Sequence, residues 1–256
     1  MNPRPPAVST SMLNKVPAVT AIFWIIKILS TTVGETGADY LAVRAGLGVP
    51  VTDALMASLL VIALVLQFRA KACVPWLYWL NVVLVSIVGT QITDALTDGL
   101  GVSLYASTAC FAVALGGVFA LWYRSEHTLS IETIVTTRRE GFYWAAILLT
   151  FALGTAAGDL ATEALGLGFR LGIVSFGAAI ALVAVAMRMG ANRVLAFWLA
   201  YILTRPLGAS LGDFLSQARE YGGLGFGTAT TSAAFLTSIV LLVVCTTLAN
   251  RQASVR

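Results

Sequence analysis

The sequence predicts an all-α polytopic membrane protein, with eight transmembrane helices arranged as four parallel two-helix repeats. Composition is the first observation: the 256 residues are 58% hydrophobic and 11% charged, whereas a soluble domain carries about 25% charged residues. The second observation is a series of long apolar segments, each close to the length that crosses a bilayer. The third is an internal repeat in which Trp, Gly and Asp keep a fixed spacing.

Eight apolar segments are the predicted helices, because a span needs about 20 residues and charged or glycine-rich stretches separate the segments. In chain order they cover residues 17–41, 51–68, 76–97, 103–123, 142–164, 169–187, 194–216 and 228–249. Residues 1–15 are polar and proline-rich, which predicts a cytoplasmic tail. The remainder forms one transmembrane domain with two halves, 16–128 and 129–256, that hold repeats 1 and 2 and repeats 3 and 4.

The distribution of Lys and Arg predicts the orientation. Both termini and the connections that precede the odd-numbered helices lie on one side, called side A, and the other connections lie on side B. Side A carries eleven basic residues: Arg4, Lys15, Arg69, Lys71, Arg124, Arg138, Arg139, Arg188, Arg193, Arg251 and Arg256. Side B carries three: Arg44, Arg170 and Arg219. Because cytoplasmic loops collect Lys and Arg, side A is predicted to face the cytoplasm of a bacterium, with the protein in the inner membrane.

One spacing recurs four times: Trp, then Gly ten residues later, then Asp five residues after the Gly. The copies are Trp24–Gly34–Asp39, Trp79–Gly89–Asp94, Trp144–Gly154–Asp159 and Trp198–Gly208–Asp213. Each copy holds two spans, so all four should share one orientation in the membrane. The tryptophans are expected to be interface anchors and the glycines to permit close helix packing. A helix break at Gly34 or Gly208 is the alternative.

Two stretches carry a resemblance to a known family. FWIIKILSTTVGETGADYL and AYILTRPLGASLGDFL resemble bacterial membrane proteins built from tandem two-helix repeats, each with a tryptophan, that go by the name "membrane-anchored protein". The resemblance covers about residues 15–250 and implies the fold but no activity. Manganese and calcium exporters with a Glu-x-Gly-Asp signature are similar only in part. Gly158-Asp159 and Gly212-Asp213 match the second half of that signature, but Ala156 and Ser210 stand where Glu is expected.

Every odd-numbered helix carries a polar stripe that ends in acid, because residues four apart share a helix face. The stripes are Lys27, Thr31, Glu35 and Asp39; Ser86, Thr90, Asp94 and Asp98; Thr155, Asp159 and Glu163; and Tyr201, Arg205, Ala209 and Asp213. The even-numbered helices carry almost no charge within their spans. The odd helices are therefore predicted to line the interior and the even helices to face lipid.

The repeated acids predict a cation site. Each Asp lies roughly 22 Å beyond its Trp, in the third of the membrane nearest side B. Charged groups at such depth are expected to face a cavity, one another or a bound cation. The predicted ligands are Glu35, Asp39, Asp94, Asp159 and Asp213, with Asp98 and Glu163 as an outer funnel and hydroxyls from Thr31, Thr90 and Thr155. Lys27 and Arg205 are expected to pair with acids and to act as a gate.

Carboxylates and hydroxyls suit hard cations. His127 is the single histidine and the cysteines are not aligned, so zinc and copper sites are not expected. We therefore expect a transporter of a hard cation, first of all a divalent metal such as manganese, exported in exchange for protons. The alternatives are transport of a small organic cation or polar metabolite, and a structural or partner-binding role without transport. The sequence has no phosphate-binding loop and no nucleophile–base pair, so we expect no enzyme activity, cofactor or nucleic-acid partner. A homo-oligomer is left open.

Overall fold

The computed structural model describes residues 14–40 and 48–255, with the side chains of 38, 39 and 250–255 left out. Over this part of the chain it contains eight α-helices and no strand. The helices are α1 (Ala21–Asp39), α2 (Val49–Arg69), α3 (Pro75–Asp94), α4 (Leu104–Glu126), α5 (Thr137–Asp159), α6 (Gly168–Arg188), α7 (Arg193–Ser216) and α8 (Thr228–Val255). Each apolar segment of the sequence corresponds to one helix.

Seven of these helices, α2 to α8, are long and apolar enough to cross a membrane. The chain is therefore a multi-pass membrane protein. The first helix differs because its 19 residues include Lys27, Glu35 and Asp39, which lower its hydropathy. It is nonetheless surrounded by protein, since it packs against α3, α7 and α8.

Polar side chains fix several helix starts. The side chains of Thr20, Ser103, Thr136 and Asn192 each accept a hydrogen bond from a backbone N–H in the first turn of the following helix. These bonds satisfy donors that the helix itself leaves unpaired. The caps thereby set the residues at which α1, α4, α5 and α7 begin.

Two inner helices end in a wider, π-helical turn that the structure describes in full, and Tyr40 after α1 is π-helical as well. Ala95–Gly99 continues α3, and Leu160–Ala164 continues α5. The last α-helical residues before these turns are the repeat acids Asp94 and Asp159. By contrast, α7 remains α-helical from Arg193 to Ser216, beyond its repeat acid. Turns of this kind are often found at functional sites because they redirect side chains.

The odd-numbered helices form a closed inner ring, in which α1 packs on α3, α3 on α5, α5 on α7, and α7 on α1. Each repeat glycine lies against the next helix of the ring, where a Cβ would be only 2.5–2.8 Å from the neighbouring Cβ. The pairs are Gly34 with Ser86, Gly89 with Phe151, Gly154 with Arg205, and Gly208 with Thr31. All four partners come seven residues after a repeat Trp. The inner helices are therefore parallel and in register, and they continue without a break through the glycines.

The even-numbered helices form an outer shell. Here α2 packs on α3, α4 on α5, α6 on α7, and α8 on α1. Each outer helix thus packs on the inner helix that follows it in the chain, and the last helix closes on the first. The outer and inner helices that pack together therefore belong to neighbouring repeats around the ring and not to the same repeat.

Burial separates the two layers. Between 50% and 67% of the span is buried in α3, α5 and α7, against 6–22% in α2, α4, α6 and α8. The polar stripes of the odd-numbered helices predicted this arrangement, because polar side chains are costly when they face lipid. The interior is therefore made mainly by the four inner helices.

The predicted boundary of the N-terminal tail, residues 1–15, lies too far along the chain. Lys15 is buried, and its Nζ lies 2.5 Å from Oε2 of Glu140, at the start of α5. The same ammonium donates to the carbonyl oxygen of Phe68, and Gln67 Nε2 donates to Oε1 of Glu140. This network ties the segment before α1 to the ends of α2 and α5 on side A. Residues 1–13 lie outside the described residues.

Candidate functional site

Side chains from the four inner helices lie at common levels along the ring, because the helices are parallel and in register. Position +n denotes the residue n places after the repeat Trp. From side A towards side B, the levels are an aromatic level at −1 and 0, then +3, +7 and +11, and finally the aspartates at +15. A helix rises about 1.5 Å per residue, so successive levels are about 6 Å apart.

The side A end of the ring is filled with aromatic rings. The residue before each repeat Trp is aromatic, and it contacts the Trp of the next helix in the ring. The centroid distances are Phe23–Trp79 5.2 Å, Tyr78–Trp144 5.6 Å, Tyr143–Trp198 6.3 Å and Phe197–Trp24 5.5 Å. Trp79, Trp144 and Trp198 are 3–4% exposed, so these three are core residues, whereas the sequence suggested interface anchors. The hydroxyls of Tyr78 and Tyr143 are 2.6 Å apart.

Lys27 occupies level +3 and is fully buried. Its ammonium lies 4.0 Å from the centroid of the Phe151 ring and 4.2 Å from that of Tyr201. Ring faces attract cations. Within the described part of the chain, Nζ has no hydrogen-bond partner, whereas the sequence suggested an acidic partner for it.

Arg205 occupies level +7 and is also fully buried. Its Nη2 donates to Oε2 of Glu35 at 2.7 Å and to the hydroxyl of Thr90, while Nη1 donates to the carbonyl oxygen of Thr31 at 3.4 Å. The guanidinium therefore joins α7 to α1 and α3 at level +11. Pro206 follows it inside α7, which continues as an α-helix through the proline.

The repeat aspartates lie one level nearer side B. Glu35, Asp94 and Glu163 are close enough to Asp159 to repel its carboxylate, and Arg205 is close enough to attract it. Asp94, Asp159 and Asp213 are half-buried, while Asp98 and Glu163 are exposed beyond them. The sequence-predicted acids of α1, α3 and α5 therefore converge at this end of the ring. Asp39 ends α1, but its side chain lies outside the described residues.

The carboxylates do not form a ready metal site. Among the described side chains, no group of three or more His, Cys, Asp or Glu residues could hold a metal ion. One predicted ligand, Glu35, is already bound to Arg205. The chemistry of the donor set still suits a hard cation, because it consists of carboxylate and hydroxyl oxygens. A cation that binds here would compete with the guanidinium for Glu35.

Two features of this region were missed by sequence reasoning. The aromatic residue before every repeat Trp was visible in the aligned repeats and predicts a ring of aromatics. The π-helical turns after Asp94 and Asp159 have no comparable signal in the sequence, because similar residues continue as α-helix in α7.

Comparison with known families identifies the repeats. The family described as Repeat of Unknown Function (DUF347) matches the chain at residues 22–72, 77–128, 142–190 and 196–252. These four segments cover most of the chain, which therefore belongs to this family. Each segment holds one Trp–Gly–Asp copy and the outer helix that follows it. No curated protein and no solved structure matches the chain.

Proposed function

We propose that the chain is a membrane transporter of small hard cations, with a divalent metal such as manganese as the first candidate. The observation that supports this most is the fully buried Arg205, paired with Glu35 directly beneath the level of the repeat aspartates. Ionisable groups inside membrane spans are costly, and they commonly mark the pathways of ions and protons. All of these groups belong to the inner ring.

The two ends of the ring differ, which favours entry from side B. There the exposed Asp98 and Glu163 precede the half-buried Asp94 and Asp159, so a cation meets negative charge first. At side A, the packed aromatic rings form a barrier. Passage would require the inner helices to separate at that level. We place all eight helices across a bacterial inner membrane with side A in the cytoplasm, because the basic residues concentrate there.

The ion pair between Arg205 and Glu35 supports transport by exchange of one cation for another. The guanidinium of Arg205 acts as a resident cation that neutralises Glu35 when no cargo is bound. An arriving cation binds to Glu35 and to the neighbouring Asp159, and Arg205 then loses its carboxylate partner. Protons are the natural counter-substrate, because carboxylates that lose a cation in a buried site can take up protons in its place.

Small organic cations are the second candidate. The ammonium of Lys27 against Phe151 and Tyr201 is the observation that favours them, because the same ring faces can accept an ammonium from a substrate. A substrate of this kind would need to reach level +3, which is two levels deeper than Glu35 at +11 and three levels deeper than Asp159 at +15. Manganese and a small primary ammonium compound should therefore be compared in one assay.

The test is uptake into proteoliposomes that contain the purified full chain. We expect manganese flux to fall about tenfold or more in Asp159→Asn, and Asp39→Asn is tested beside it because it is the equivalent acid. Asp53→Asn is the matched control, since Asp53 lies on the outer helix α2 and should leave flux unchanged. Flux of the ammonium compound without manganese flux would favour the second candidate. Absence of flux for every cation would favour a structural or partner-binding role.

A further inference from the structure

A groove with a volume of about 840 Å³ opens near side A between α6, α7 and α1. Its walls are apolar and include Ile180 and Val183 of α6, Phe197 of α7 and Trp24 of α1. The groove thus lies between the outer helix α6 and the inner helices α7 and α1. The groove lies away from the acidic end of the inner ring.

Charged side chains stand at the mouth of this groove. Arg188 is the last residue of α6 and Arg193 is the first residue of α7, while Glu132 lies in the short 3₁₀ turn Ile131–Thr133. All three line the groove and are exposed. None of their charged groups forms an ion pair or hydrogen bond with another described side chain. Two guanidinium groups and one carboxylate leave the mouth with one excess positive charge.

The depth of the groove matches the outer part of a lipid leaflet. Ile180 lies eight residues before Arg188 on α6, which corresponds to about 12 Å along the helix. The charged mouth is at the level where α6 ends and α7 begins, and the apolar walls extend from there into the span. A ligand that fits both parts has a charged head and a long apolar tail.

We propose that the groove binds an anionic phospholipid of the side A leaflet, with the phosphate between Arg188 and Arg193 and an acyl chain along Ile180, Val183 and Phe197. Charge complementarity supports this occupant, because a headgroup with one negative charge balances the mouth. Basic pockets between spans recognise lipid headgroups in this way. A smaller cavity of about 270 Å³ between α1, α3 and α8 has no charged residue among the described residues that line it, and we assign it no headgroup.

The proposal is tested by native mass spectrometry of the detergent-purified full chain with added phosphatidylglycerol. We expect the dissociation constant to rise about fivefold in Arg188→Gln or Arg193→Gln and about 30-fold in the double variant. The double variant Arg69→Gln/Lys71→Gln is the control, because it removes the same charge from side A at the turn between α2 and α3. Unchanged binding in the groove variant, or an equal loss in the control, would overturn the site.

Glu132→Gln tests which headgroup is bound. Removing this carboxylate should strengthen phosphatidylglycerol binding, because it removes repulsion of the phosphate. If the variant instead weakens binding, and phosphatidylethanolamine binds wild type more tightly than phosphatidylglycerol does, the occupant carries an ammonium that Glu132 binds. That result would overturn the anionic assignment.

A photoreactive residue at position 184, inside the groove, tests the occupant directly in membranes. The expected adduct has the mass of one phospholipid. An adduct to a second copy of the chain, or to a peptide of its N-terminal segment, would show that protein fills the groove and would overturn the proposal. None of these three experiments measures transport, so the lipid site and the proposed transport function can fail separately.

Discussion

In the inner ring, α3, α5 and α7 bury 50–67% of their spans, while the outer helices bury 6–22% of theirs. The two layers come from the same repeats, but the outer helices are more apolar, with a mean hydropathy of 1.8–2.3 against 1.4–1.5 for α3, α5 and α7. Their surroundings differ as well: an inner helix is surrounded by other helices, whereas one side of an outer helix faces lipid. Among the described side chains, the two fully buried cations, Lys27 and Arg205, both belong to the ring. Substitutions in the ring should therefore have large and specific effects, and matched substitutions in the shell should have small ones.

Arg205→Met should have the largest effect. It leaves Glu35 without its cation in a region of low dielectric constant, which costs about 3–5 kcal/mol of the free energy of unfolding. The matched shell variant is Arg170→Met on α6, an exposed arginine 5.4 Å from the centre of the Phe214 ring, and it should cost about 0.5–1 kcal/mol. Thermal unfolding in detergent measures both changes.

A second substitution tests the cause of this loss. Glu35→Gln in the Arg205→Met background removes the unpaired charge, so the double variant should be more stable than the single variant. A single Arg205→Met variant as stable as wild type would contradict the ion pair within the ring. It would also remove the main support for the proposed competition between Arg205 and a cation.

Gly208→Ala should have the next largest effect. Its Cβ would lie 2.6 Å from Cβ of Thr31 and 3.2 Å from the carbonyl oxygen of Ile28, so α7 and α1 must move apart, at a cost of about 1–3 kcal/mol. Gly177→Ala on the outer helix α6 meets no atom within 4 Å and should not lower stability. The monodisperse fraction left after heating, measured by size-exclusion chromatography, compares the two. Equal losses would mean that the ring does not depend on close packing at its glycines.

Lys27→Met should change stability in the opposite direction to Arg205→Met. Lys27 has no hydrogen-bond partner in the described part of the chain, and a buried polar group without a partner costs about 1–3 kcal/mol. Methionine keeps the length of the side chain between Phe151 and Tyr201 without that cost, so the midpoint of thermal unfolding should rise. A lower midpoint would show that the ammonium is stabilised by an acid, and Glu35→Gln would then test the nearest acid on the same stripe.

The sequence predicted the helices and their inward faces, because apolar length and four-residue spacing are local properties. It also predicted that the repeat glycines allow close packing, since a fixed register makes equivalent residues meet. The sequence did not predict which side chains the two buried cations contact. Lys27 and Arg205 both occur on acidic stripes, yet Arg205 reaches Glu35 on a neighbouring helix while Lys27 meets the rings of Phe151 and Tyr201. The partner that each cation meets depends on the order of the helices around the ring and on which side chain each repeat places at a given level.

The smallest effect is expected at the lipid-facing side of the shell. Leu182 on α6 and Val113 on α4 are 69% and 76% exposed, and lipid tails replace the lost contacts when either becomes alanine. Each substitution should change the free energy of unfolding by less than about 0.5 kcal/mol. Since the measurement is sensitive to any protein that covers these faces, it also tests for a homo-oligomer. A loss at Leu182 that disappears on dilution of the protein, with no loss at Val113, would mean that a second copy packs on α6, and the shell would then be part of an interface.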